Sequence, residues 1–423
     1  MNIKKVFSLK HLTTAVFYGG GLFGMHVALL IAVILYIPSR STTMPFRAAV
    51  LIVSIWAIGL SISKGYTFYR GKLWIALAVF WAFYGLGIFM EPSMMLQQSR
   101  MNYALYAFGI CAIPTCGYLV STTRSNLRAG MICMYTVAFL AGAMSIALYG
   151  NASLHGTGRA KGGEFIGDFV ALSPLLISYT GSALVVLGAY WALVRESLPS
   201  VIIRYVIAGA FVAIGAYLMA LGASRGPVIA VFIPYALFIV CRVRKPSDVF
   251  MLIVSSVMLA GMGVVLLFFS DQMGSQLVMR LKSLLYMQET YMSGGMGIGR
   301  LAIYPLAIQQ FLENPILGSG LYLRAVDSHP HNFILEAYMT TGVFGGTAFL
   351  IYFCACVTRA LKIIRYFPVY SWVSLLFLHY AVYCQFSSSM IKNHYFWYSS
   401  AMVIAVYEFA TKEQRGRHVR QFR

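Results

Sequence analysis

The sequence predicts an all-α polytopic membrane protein of about twelve transmembrane helices, with one long outer loop that carries short interfacial helices. Three observations predict it. Of 423 residues, 60% are hydrophobic and 10% charged, against about 25% charged in soluble domains. The apolar residues gather in runs long enough to span a bilayer. The basic residues sit in the short connections between those runs, as the positive-inside rule requires. The net charge of +20 would point to nucleic acid in a soluble chain; here membrane topology accounts for it, and no nucleic-acid partner is expected.

The apolar runs lie near residues 14–37, 46–63, 73–90, 101–120, 129–149, 167–194, 202–221, 227–241, 249–270, 332–358, 371–388 and 396–410. Lys4, Lys5 and Lys10 ahead of the first resemble the charged start of a signal peptide. That run continues to Ile37 with no small-residue cleavage site, so it is read as an uncleaved first span. With the N-terminus inside, 21 of the 32 basic residues fall on the inner face and 11 on the outer. This asymmetry sets both termini inside and requires an even number of spans. The seven cysteines all fall inside apolar runs and read as small buried hydrophobes, without disulfide or zinc spacing. Residues 1–423 are read as a single transmembrane domain.

Residues 271–331 form the long connection, on the outer face. Loops of this length are commonly functional. Leu277, Leu281, Leu284 and Leu285 recur at helical spacing, and Leu301, Ile303, Leu306, Ile308 and Leu312 do so more loosely. Between them Ser293-Gly294-Gly295-Met296-Gly297-Ile298-Gly299 is a flexible break. Asn314-Pro315 ends the second helix, and Gly318-Ser319-Gly320 makes a turn. Two short interfacial helices are therefore expected over the outer mouth of the bundle.

The chemistry is sought where this loop re-enters an apolar run, at Asp327-Ser328-His329-Pro330-His331-Asn332-Phe333-Ile334-Leu335-Glu336. His331 and Asn332 fall at the membrane surface on the first turn of a helix. An imidazole there either does proton chemistry on a water-side substrate or simply hydrogen-bonds at the interface. Arg225, in Ala223-Ser224-Arg225-Gly226-Pro227, stands between two apolar runs with almost no loop. It either snorkels to the headgroups or forms an anion site, with Gly226 admitting the ligand and Pro227 starting a helix whose dipole attracts negative charge. Arg300 opens the second loop helix. Alone it reads as a solvated helix-end charge; with Arg225 it makes a bidentate clamp for a diphosphate.

Other chemistries fit less well. The glycine break has no Gly-Lys-Ser/Thr ending and no strand before it, so it is no P-loop. His329-Pro330-His331 is a poor chelate, and no Asp-x-Asp pair marks a Mg²⁺-diphosphate site. Neither a metal nor a cofactor is expected.

Ser224-Arg225-Gly226, the stretch from Arg300 through Tyr304, Asn314 and Pro315 to Gly318 and Gly320, and His331-Asn332 followed by Gly342 and Gly345 together resemble three ordered motifs of one family. The chain resembles the O-antigen ligase and polymerase superfamily of Gram-negative inner membranes over residues 224–346 and in topology. Tyr304 stands where that family often has Trp. The resemblance implies a C-type glycosyltransferase-like membrane enzyme that moves a glycan from undecaprenyl diphosphate to a sugar hydroxyl on the periplasmic side. It implies lipid A-core as acceptor in a ligase, the growing glycan in a polymerase, and a protein hydroxyl in O-oligosaccharyltransferase relatives. The size and place of the outer loop favour the ligase. Implied catalytic residues are His331, Arg225 and Arg300, in an inverting reaction that uses no metal. Implied substrate-binding residues are Asn332 and Gly226. Arg159, Lys161 and Lys392 join them on charge and side, as holders of acceptor phosphates, and Arg324 is a further substrate-binding residue. A lipid or glycan transporter is the rival of another class, since twelve spans suit it; the sequence shows neither paired halves nor an intramembrane acid suited to proton coupling.

Overall fold

The computed structural model describes residues 9–35, 39–63, 71–91, 100–119, 124–149, 173–194, 200–222, 224–242, 300–326 and 328–421. Among these the structure is helical, with a lone antiparallel bridge between Leu323 and Ser328. Among the described residues six helices are long and apolar enough to cross a membrane: Ser41–Gly59, Leu73–Met90, Leu127–Tyr149, Leu175–Leu193, Val201–Gly222 and Phe333–Tyr366. Gly20–Ile34 and Gly226–Arg242 are shorter apolar helices. The runs predicted at 101–120, 371–388 and 396–410 also fall on helices. The run at 249–270, the first loop helix and the glycine break 293–299 lie outside the described residues.

The chain divides into two compact units. The first comprises Met1–Ala49, Thr123–Thr290 and Ala360–His379. Its helices are apolar all round, so hydrophobicity alone does not choose their contacts. Small residues and buried hydroxyls do. Gly181, on Pro174–Leu193, faces Gly215, on Val201–Gly222. A Cβ at Gly181 would lie 2.9 Å from the Met219 amide. Two turns along, a Cβ at Gly188 would lie 3.0 Å from the Ala208 carbonyl. Ser173 caps the first of these helices by accepting the Leu176 N–H at 3.2 Å, with Pro174 in the first turn. His26 is fully buried, 2.9 Å from Ser145 Oγ and 3.0 Å from Thr180 Oγ1. It joins Leu9–Ile34, Arg124–Tyr149 and Pro174–Leu193 through side chains.

The second unit comprises Val50–Thr122, Tyr291–Arg359 and Tyr380–Arg423. Rings fill its centre. Phe80, Trp81 and Phe349 surround Trp397 with centroids 5.5, 4.7 and 5.9 Å away. Beside this cluster the 101–120 run is not uniform. Arg100–Ala104 passes into a π-helix, Leu105–Ala112, and then into Ile113–Tyr118. Pro114 has no N–H to give the Ile110 carbonyl, and that carbonyl instead accepts the Tyr398 hydroxyl at 2.6 Å. Thr115 Oγ1 similarly donates to the Cys111 carbonyl at 2.6 Å.

Arg300–Glu313 and the start of Phe333–Tyr366 also belong to this unit, joined by a braced turn. Gly318 and Gly320 have φ of +86° and +134°, a region open to glycine. The turn is held where the long helix breaks. At Gly342 (φ 64°, ψ −166°) the backbone leaves helical geometry. The groups freed there find partners in the turn: Val343 N–H donates to the Pro315 carbonyl at 2.7 Å, and Ser319 N–H donates to the Met339 carbonyl at 2.8 Å. The second and third motifs are thus one interlocked structure.

Candidate active site

His331 sits one residue before a capped helix. Asn332 Oδ1 accepts the Leu335 N–H at 3.1 Å, and the Asn332 carbonyl accepts the Glu336 N–H at 2.8 Å. This is an N-cap, as Asn prefers. The Asn332 amide nitrogen reaches the Gln385 carbonyl at 3.5 Å. To enter this cap the chain takes a left-handed turn at His331, φ +55°. Non-glycine residues in that region are uncommon and strained, and they cluster at functional sites. Among the described residues Ser388, φ +73°, is the other non-glycine with positive φ.

His329 is buried beside it. The Leu323–Ser328 bridge folds the chain back so that the His329 ring lies on Tyr322, centroids 4.2 Å apart. Tyr322 in turn shares a hydroxyl–hydroxyl hydrogen bond with Tyr103. Neither ring nitrogen of His329 meets a partner at bonding geometry. Its Nδ1 is 3.9 Å from Glu336 Oε1, too long for a hydrogen bond. Burial first, then the nearby Lys392 and His331, push the His329 pKa down to about 3, against a weaker pull from the Leu321 backbone. His329 is therefore neutral at physiological pH, and its approach to Glu336 is no ion pair.

Glu336 is fully buried in the first turn of Phe333–Tyr366. Its oxygens accept the Met390 N–H at 3.0 and 3.2 Å, and Tyr84 Oη donates to Oε1 at 3.5 Å. A carboxyl group inside an apolar run is by default a functional-site signal, and that signal was present in the sequence. Its partners, Tyr84 and Met390, carry no local mark.

The loop around Met390 is stitched to the His331 segment at further points. Phe333 N–H donates to the Cys384 carbonyl at 3.1 Å, and Tyr304 Oη donates to the Gln385 carbonyl at 3.2 Å. Lys392 stands exposed on this loop and acts electrostatically on His329. The structure thus gathers His329, His331, Asn332, Glu336 and Lys392.

The remaining predicted residues are distributed as follows. Arg300 is the first residue of Arg300–Glu313, and Arg225 the first of Arg225–Arg242, so each stands where helix amides are unpaired and attract anions. Gly226 follows Arg225 in the first compact unit. Arg324 braces the turn: it donates to Glu313 Oε2 at 3.2 Å and to the Ser319 carbonyl at 2.7 Å. Gln310, which sequence reasoning missed, spans the same turn, donating to the Tyr322 carbonyl at 2.8 Å and accepting from Arg324 N–H at 3.0 Å. Arg159 and Lys161 lie outside the described residues. Among the described residues no three His, Cys, Asp or Glu side chains gather as a metal site would need.

Residues 210–350 match the family model described as O-antigen ligase. The chain carries an O-antigen ligase domain. The O-antigen ligase domain contains Arg225, Gly226, Arg300, Arg324, His329, His331, Asn332 and Glu336, together with the Gly342 break. Tyr84 and the 384–393 loop with Lys392 lie outside it, so part of the site is supplied by flanking helices. A search of curated proteins finds no match.

Proposed function

We propose that the protein is an O-antigen ligase of the bacterial inner membrane, with both termini cytoplasmic and the site periplasmic. It transfers a glycan from undecaprenyl diphosphate to lipid A-core during lipopolysaccharide assembly. The observation that carries the reading is the left-handed backbone of His331, inside the O-antigen ligase domain and directly before the Asn332 cap. Such strain is retained where an exact side-chain placement is used.

In the reaction the acceptor hydroxyl oxygen attacks the anomeric carbon. His331, neutral, takes the hydroxyl proton as general base. The bond from the anomeric carbon to the diphosphate oxygen breaks, and the diphosphate leaves with the electron pair. Arg225 and Arg300 stabilise that developing charge, the role a metal plays elsewhere. One in-line displacement with no protein nucleophile inverts the anomeric configuration. Asn332, with both ends of its amide engaged, keeps the His331 segment in place.

The test is to mix purified protein in detergent with undecaprenyl-diphosphate glycan and rough lipopolysaccharide. A glycan ladder on lipid A-core is expected from the wild type. Glycan elongation on the lipid carrier with no lipid A-core present would identify a polymerase instead. No transfer to any hydroxyl, with transport in sealed vesicles, would overturn the enzyme reading.

A further inference from the structure

We propose that Glu336 is a positioning residue that latches the 384–393 loop onto the His331 segment, so that Lys392 stands beside His331 as a binding group for a phosphoester anion of the substrate. This rests on the functional reading above for the identity of the substrate, not for the latch.

The latch is read from hydrogen bonds and strain. Among the described residues the two non-glycine residues with left-handed backbones, His331 and Ser388, lie in the two segments that Glu336 joins. A chain holds such conformations where its surroundings over-determine them. Here the Met390 peptide is fixed on both sides. Its N–H is accepted by both Glu336 oxygens, and its carbonyl accepts Trp397 Nε1–H at 2.8 Å. Trp397 is anchored in the ring cluster of the core. Glu336 is itself held from the opposite side by Tyr84, on Leu73–Met90. The acceptor on the His331 side of this junction is a buried side chain, while the other stitches to the loop use its own carbonyls at Cys384 and Gln385. Removing the Glu336 carboxyl therefore leaves a buried N–H unsatisfied beside a strained turn, and the loop shifts to find a partner.

Two residues beyond Met390 the loop presents Lys392 to solvent. Its charge reaches His329, which adjoins His331. His329 is neutral, and Lys392 brings a positive charge to this end of the site. An exposed ammonium two residues from the peptide that Glu336 holds suits a phosphate or diphosphate oxygen. The group belongs either to the donor diphosphate or to a phosphorylated acceptor.

The test uses full-length purified protein: wild type, Glu336→Gln, Glu336→Leu, Lys392→Ala, and the double variant Glu336→Leu/Lys392→Ala. Binding of inorganic pyrophosphate and of inorganic phosphate is measured directly, and transfer kinetics are measured against donor and acceptor separately. Glu336→Leu and Lys392→Ala are each expected to weaken anion binding and raise one KM by about tenfold, with kcat changed less. The double variant should be no worse than the more impaired single variant, because both remove one device. Glu336→Gln keeps an oxygen for Met390 N–H and should stay near wild type. A raised donor KM with lost pyrophosphate binding assigns the donor; a raised acceptor KM with lost phosphate binding assigns the acceptor. Wild-type behaviour of Lys392→Ala, losses that multiply in the double variant, or a Glu336→Gln as impaired as Glu336→Leu would each overturn the latch. If Glu336→Leu does not fold, Lys392→Ala and Glu336→Gln still decide. The binding arms stand even where the wild type transfers no glycan, which separates this proposal from the ligase reading.

Discussion

The carbonyl of Ile316 occupies the space that a side chain on Gly342 would need. One residue on, Val343 N–H donates to the Pro315 carbonyl, so the helix break and the turn hold each other. Gly342 also carries φ +64°, which costs any other residue strain. Gly342→Ala should therefore destabilise the second unit by at least about 2 kcal/mol, from strain and backbone collision together. A lower thermal midpoint in detergent, measured by tryptophan fluorescence, checks this. An unchanged midpoint would mean that the turn moves aside freely.

His329 gives a pH dependence whose sign is fixed by its burial. Its folded pKa, about 3, lies below the ordinary 6.5. Between these values the unfolded chain binds the proton and the folded chain does not, so stability rises with pH across that window. The contribution is complete above pH 6.5 and is lost as pH falls toward 3. Replacing His329 with Phe removes this titration. Between pH 7 and 4.5 the variant should lose less stability than the wild type, by up to about 3 kcal/mol. Equal slopes in thermal melts would show that His329 protonates freely when folded.

Much of this fold was legible in the sequence, and the reasons are local. The helix that starts at Arg300, the one that follows His331 and the apolar runs on either side follow from composition and periodicity, although Asn332 caps its helix and does not lie within the first turn. What the sequence did not show depends on distant partners. The π-helix at Leu105–Ala112 is settled by Tyr398, 288 positions from the Ile110 carbonyl it binds. The break at Gly342 lies inside a run read as one continuous span, because nothing local says that the 315–320 turn will fill it. His331 was legible as a candidate base, but its left-handed backbone was not. Glu336 was visible as an acid within an apolar run, but its partner Met390, 54 positions away, was not.

Replacing His331 tests the base directly, and the choice of substitute matters. Asn tolerates left-handed backbone better than Ala does. His331→Asn should therefore keep the fold while transfer falls by about 10²–10⁴-fold. His329→Ala should be milder, because His329 packs on Tyr322 and is assigned no proton. Near-wild-type ligation by His331→Asn would remove His331 from the chemistry.

Chelation tests the absence of a metal from the proposed mechanism. EDTA should leave transfer unchanged, since guanidinium groups and helix amides take the leaving charge. Loss of transfer on EDTA, restored by Mg²⁺ or Mn²⁺, would reject the arginine clamp.

The arginines themselves separate recognition from simple charge. Arg225 and Arg300 each open a helix, where unpaired amides already favour an anion. A guanidinium adds a planar fork that meets two phosphate oxygens at once, whereas an ammonium is a single point. Arg225→Lys and Arg300→Lys keep the charge and lose the fork. Both should be strongly impaired in transfer, and the loss should fall mainly on kcat, because the diphosphate gains charge as the glycosidic bond breaks. If these positions needed only positive charge, for topology or for headgroup contact, Lys would serve as well as Arg. Single-turnover measurements on purified protein distinguish the two. Wild-type turnover in both Lys variants would return the arginines to a role at the membrane surface. Loss in Arg225→Lys alone would leave Arg300 shaping the start of its helix, and the diphosphate would need another second donor.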